Sequence, residues 1–186
     1  DLKNCVLNYL AALPNHENTV SKQYDTATNM TDRMAALRAA VVNNHSTAKI
    51  LLASFLDHYK GYPSVVDKWF SLQATNPNVT LDTLNNLKHH SEFNSHNPNR
   101  VRSLFAALGQ NKVALYQQPE TFYAWLLENI LMIDKINPQV AARLATPFSQ
   151  LHFLKKEDQG AILVLVKQQL SNDLSTNLSE HLSKSL

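Results

Sequence analysis

Apolar residues recur at three- and four-residue intervals along almost the whole chain. That period places one face of an α-helix against a core. Val20, Tyr24 and Ala27 mark one helix; Met34, Leu37 and Val41 mark the next, with Thr31 as its cap. Ser46 opens a run through Ile50, Leu51, Phe55 and Tyr59, stopped by Gly61 and Pro63. Ser64 opens Val65, Val66, Trp69, Phe70 and Leu72, and Thr80 opens Leu81, Leu84 and Leu87. A loop from His90 to His96 comes next. Val101, Leu104, Phe105 and Leu108 then form a stripe that Gly109 ends. Phe122, Trp125, Leu126, Asn129 and Met132 lie along a longer helix, and Val140 and Leu144 point inward on another that Pro147 limits. Two last helices run from about Lys155 to Leu170 and from Leu174 onwards. Leucines at 174, 178 and 182 make the Ser-rich end a docked amphipathic helix.

One local pattern stands apart. Asn97-Pro98-Asn99-Arg100-Val101-Arg102-Ser103 starts a helix, since Asn is a preferred N-cap and Pro fits the first helical position. It sets two arginines against the positive end of the helix dipole, which costs about 0.3–1 kcal/mol each when exposed. The pattern points to an anionic group, or a backbone carbonyl, met by these guanidinium groups; the plainer reading is two solvated arginines. Forty residues later Asn137-Pro138 repeats the start, and Leu104 and Leu144 both fall at the eighth position. A forty-residue spacing suits helix-pair repeats of the HEAT/armadillo kind. The expected fold class is therefore all-α, a right-handed stack of antiparallel helix pairs forming an α-superhelix.

Composition narrows this only a little. Three glycines in 186 residues are too few for the turns of an all-β or doubly wound α/β chain. Hydrophobic residues at 44% allow a real core, and a net charge of +2 is too balanced for nucleic-acid binding through bulk electrostatics. Cys5 is the single cysteine, which leans towards a reducing compartment and a small buried thiol. Ala161–Val166 is far too short an apolar run to span a membrane, and no basic-then-apolar leader opens the chain. The first residues are already amphipathic, so the expectation is a single helical domain over residues 1–186 that begins inside the domain of a longer parent.

The chain carries no complete catalytic motif. A zinc-protease helix needs His-Glu-x-x-His, but after His16-Glu17 the second position is Val20. His89 and His90 are adjacent and point to different faces. No nucleophile elbow, P-loop or dinucleotide fingerprint is present. Trp69, Trp125 and the phenylalanines sit among leucines at helical spacing and read as core rather than as a platform for bases.

Several strings together give a resemblance. Val20-Ser-Lys-Gln-Tyr24, Asn29-Met-Thr-Asp32 with Ala35-Ala-Leu37, Asp67-Lys-Trp-Phe70 with Leu72-Gln-Ala-Thr75, Asn97 to Leu104, and Asn137 to Leu144 occur in the order found in the C-terminal domain of bacterial aminopeptidase N. The chain resembles that domain over nearly its whole length. The resemblance implies a helical superhelix that caps a catalytic domain of the same polypeptide and encloses the cavity for peptide substrates. It implies no catalytic residue and no metal ligand here, with zinc held in the parent's catalytic domain, and a cytoplasmic location. It also implies that Arg102, Gln139 and Arg143 line the substrate cavity, where guanidinium groups suit the carboxylate end of a peptide. Arg100 projects about 200° from Arg102 on an ideal helix; with Asn97 it stands as an interface or cavity residue. The alternative is a stand-alone α-solenoid scaffold for protein partners. Neither reading calls for nucleic acid or membrane.

Overall fold

The computed structural model describes residues 2–186. They form helices joined by short turns, with no strand among the described residues. The chain divides into two compact units, one ending at Asn78 and one spanning Val79–Leu186.

The first unit holds α1 (Leu2–Ala11), α2 (Glu17–Thr26), α3 (Met30–Val42), α4 (Ala48–Tyr59) and α5 (Pro63–Ala74). Helix α3 packs on α1, α2 and α4, and α4 packs on α5. Val20, Leu37, Phe55 and Phe70 are fully buried between them, each side chain stabilising the unit by about 1.5–3 kcal/mol. Trp69 packs edge-on against Phe70 at 5.1 Å and spends its indole N–H on the Leu52 carbonyl at 3.0 Å. His45, also buried, sets Nε2 at 2.8 Å from the Ala11 carbonyl. That contact ties the α3–α4 turn to the end of α1.

The second unit holds α6 (Leu81–Lys88), α7 (Pro98–Val101), a π-helical segment (Arg102–Ala106), α8 (Ala107–Gln110), α9 (Lys112–Gln117), α10 (Pro119–Asp134), α11 (Pro138–Leu144), a 3₁₀ stretch (Thr146–Phe153), α12 (Lys156–Leu170) and α13 (Thr176–Ser183). Helix α10 is its centre, packing on α9, α11 and α12. Leu126 and Ile130 are fully buried, as are Phe105 and Phe148. An aromatic chain runs from Phe93 to Phe105 at 5.7 Å and on to Trp125 at 5.5 Å. Tyr123 donates to the Pro147 carbonyl, and burial pushes its phenol up to about 12.

Turn chemistry explains how so few glycines suffice. Among the described residues the positive-φ positions are Asn15 and Asn44, at 68° and 52°, and no glycine is among them. Asparagine tolerates the left-handed region because its short side chain bonds locally. Gly109 has a different task. It lies inside α8 rather than ending the helix, and a Cβ there would sit 2.7 Å from Pro147 Cγ. Close approach of the 3₁₀ stretch is what requires glycine.

Other boundaries also differ from the sequence reading. Asn29, not Thr31, caps α3; α4 starts after Thr47 rather than Ser46; and Pro63 itself is the first residue of α5. Ile50 is 70% exposed, on the far side of α4 from Leu51 and Phe55. Cys5 is exposed rather than a buried thiol. The π segment and the 3₁₀ stretch leave no trace in a 3.6-residue pattern, because both depart from that period.

Candidate functional site

The two Asn-Pro starts share their capping chemistry. Asn97 Oδ1 accepts from the N–H groups of Asn99 and Arg100 at 3.0 and 3.3 Å, and Asn137 Oδ1 accepts from Val140 N–H at 3.1 Å. Each start has proline in its first turn, and the eighth-position leucines, Leu104 and Leu144, are both buried. The echo in the sequence is thus a repeated helix entry.

Beyond the cap the two diverge. Arg100 is only 4% exposed and its Nη1 donates to the Glu92 carbonyl in the preceding loop. A backbone carbonyl, one of the two partners that the charge pattern suggested, is thus among those that Arg100 meets. Arg102 opens the π segment, half-buried, with Nη1 3.2 Å from Asn99 Oδ1. Ser103 Oγ donates to the Arg100 carbonyl at 2.8 Å. The π segment packs on α11, which carries Gln139 and Arg143.

Gln139 and Arg143 are exposed and line one cavity of 390 Å³. Its other wall is α13, through Asn177, Glu180 and His181, with Lys184 just past the helix end. Arg143 also borders a 250 Å³ cavity beside Gly109 and Pro147. Arg102 lines neither of these. The structure therefore joins Gln139 to Arg143, places the segment bearing Arg102 against their helix, and buries Arg100. The α13 wall was missed from sequence, where that helix was read only through its leucines. The signal was present: residues 177, 180, 181 and 184 share the face opposite buried Leu178 and Leu182.

The resemblance-bearing strings of the first unit prove to be structural at one point and cavity-lining at another. Asn29 and Asp32 form a reciprocal cap, Asp32 N–H donating to Asn29 Oδ1 at 2.9 Å and Asn29 Nδ2 to the Asp32 carboxylate at 3.2 Å. Lys3 and Asn4 of α1 donate to the same carboxylate at 2.8 and 2.9 Å. These bonds, Lys3's first, hold Asp32 below the usual carboxylate range. Next to them a 610 Å³ cavity is lined by Thr31, Met34 and Ala35 of α3 and by Asp67, Lys68 and Leu72 of α5.

Among the described residues, no three His, Cys, Asp or Glu side chains come together as a metal site requires. No described helix is long and apolar enough to cross a membrane.

Residues 1–186 match the family described as domain of unknown function DUF3458_C, ARM repeats. The chain belongs to this family. Its armadillo-type description agrees with the all-helical fold expected from the sequence. The chain is 36% identical over 190 residues to aminopeptidase N of Escherichia coli K12 and 35% identical to that of Haemophilus influenzae. All of this chain is covered in each case but only 22% of the relative, in its C-terminal region. The chain thus spans about a fifth of the relatives it matches. A crystal structure of Legionella pneumophila aminopeptidase A in complex with aspartic acid aligns with a TM-score of 0.84 and 26% identity, over 91% of this chain and 20% of that one.

Proposed function

We propose that this chain is the C-terminal domain of a cytoplasmic, zinc-dependent aminopeptidase that removes N-terminal residues from peptides. In this reading both compact units belong to one domain, which caps the catalytic domain and encloses the substrate cavity. The observation that carries it is the end-to-end match, over all 186 residues, to a C-terminal portion of aminopeptidase N proteins. A region found as a fifth of longer chains favours this reading over a stand-alone scaffold.

The zinc implied by the reading belongs to the part of the polypeptide outside this chain. Docking onto that part is supported by α1, where Leu2, Val6 and Tyr9 are 80%, 46% and 74% exposed. At spacings of four and three residues they share one face, an exposed apolar stripe. The exposed thiol of Cys5 suits a reducing compartment.

Arg102, Gln139 and Arg143 line the substrate cavity in this reading. Support comes from the free hydrogen-bonding capacity of Gln139 and Arg143 and from the packing of the π segment on α11. A peptide held by its N-terminus at the metal directs its carboxylate end towards them. The test is to express the full polypeptide that contains this chain and assay it on alanyl arylamide. Activity that a chelator removes and zinc restores, with none from this chain alone, is the expected result. Zinc-dependent hydrolysis by the isolated chain would overturn the assignment of the chemistry to the missing part.

A further inference from the structure

The 610 Å³ cavity of the first unit lies between α3 and α5, and none of Arg102, Gln139 and Arg143 borders it. Its floor is apolar, made by Met34, Ala35 and Leu72. Side-chain hydrogen bonds fix both of its ends. At one end Asn4, which lines the cavity, donates to the Asp32 carboxylate at the start of α3. At the other, Asn76 and Asn78, just past α5, donate to the carbonyls of Val41 and Val42 at 3.3 and 3.2 Å. These last bonds bring the C-terminal ends of α3 and α5 together. Residues from Thr31 to Arg38 and from Asp67 to Thr75 line the same cavity, so the two helices run side by side and parallel. Opposite charges then stand towards the two ends of the floor. With Asn76 level with Val41, Arg38 is level with Gln73, one and two-thirds turns beyond Asp67, or about 9 Å along the groove. Arg38 and Asp67 form no ion pair with each other, and Arg38 has no hydrogen-bond partner among the described residues.

We infer that this groove binds a short zwitterionic peptide by both ends, its ammonium group at Asp67 and its carboxylate at Arg38, with apolar side chains on Met34, Ala35 and Leu72. Three extended residues span about 10 Å, which matches the separation of the two charges. A ligand with one charge would satisfy one end and leave the other unmatched. Arg38 offers a carboxylate its planar fork. Ser71, between the two charges, adds a hydroxyl oxygen that can accept from a peptide N–H. The volume lies within the range of small-ligand pockets. Lys68, beside Asp67, opposes an ammonium group and limits affinity at that end. Only α3 and α5 are needed, so the site holds whether or not the parent is an aminopeptidase.

The test places a thiol in the groove of the full polypeptide by Ser71→Cys, with Ala35→Cys as a second label in case the first disturbs α5. The readout is the labelling rate of that thiol, followed by mass spectrometry of the fragment that carries it. The probes are tri-leucine, its C-terminal amide and its N-acetyl form, each in large excess and read within seconds so that little is consumed. Tri-leucine is expected to slow labelling, and the two blocked forms to need about threefold higher concentrations for the same protection, as suits exposed charge pairs. Arg38→Gln removes the advantage over the amide and keeps that over the N-acetyl form. Asp67→Asn does the reverse, and Lys68→Gln enlarges the advantage over the N-acetyl form. Each variant is read as a ratio between peptides, so a general loosening of the unit cancels. Labelling that no peptide slows, or equal protection by all three, overturns the site. A thiol already shielded without peptide, because the rest of the polypeptide covers the groove, overturns it as well.

Discussion

The helix starts at Asn97 and Asn137 read alike and end in different roles. Both place an asparagine cap before a proline, and both bury a leucine seven residues on. At the first, Arg100 is buried on the Glu92 carbonyl, Ser103 bonds back along the chain, and the helix widens into a π turn that leaves Arg102 half-buried. At the second, the helix is regular and its polar residues, Gln139 and Arg143, are left facing a cavity. A capping motif fixes where a helix begins. The backbone geometry after the cap, and the elements packed over it, decide whether an arginine there is buried against the backbone or left facing a cavity.

Replacing the two arginines is the sharpest way to break this comparison. Arg100→Ala strands the Glu92 carbonyl and empties a buried site, so a loss of about 2–4 kcal/mol in urea unfolding is expected. Arg143→Ala should change stability by less than about 0.5 kcal/mol, as at an ordinary surface position. Equal losses would mean that the starts do not differ as described. Gly109→Ala comes next. Its Cβ would meet Pro147 Cγ at 2.7 Å, and the strain is expected to cost about 1–3 kcal/mol, read as a lowered melting temperature. Were glycine there only to stop the helix, alanine would be tolerated or even stabilising. The smallest effect probes what the starts share. Asn97→Ala and Asn137→Ala should each cost about 1 kcal/mol, with Asn97 the larger because it accepts two N–H bonds rather than one.

The same contrast explains what was legible in the sequence. Helix period, core aromatics and the repeated entry could be read directly, because each depends on residues near in the chain. The resemblance-bearing strings at Asn29–Asp32 and Asn97–Arg100 are legible for the same reason, being largely capping chemistry. Arg100 could not be separated from Arg102 by charge alone. Its burial depends on a loop eight residues upstream folding back to present a carbonyl. Gly109 was misread because its partner, Pro147, lies 38 residues further on. The α13 wall was overlooked because a cavity between two helices is a property of their packing, which the period of either helix does not encode. Cys5 and Ile50 show the complementary limit, since apolar residues also occur on exposed faces.

The central claim is that the second start, with Arg102 beside it, meets the far end of a peptide whose N-terminus is cut elsewhere in the polypeptide. The most direct measurement compares kcat/KM on a tetrapeptide and on a single-residue arylamide for Arg102→Ala and Arg143→Ala in the full polypeptide. A charge-assisted hydrogen bond to a carboxylate predicts a loss of about tenfold on the tetrapeptide and a much smaller one on the arylamide, which has no distant carboxylate to hold. Equal losses on both substrates, or no loss on either, would contradict the account.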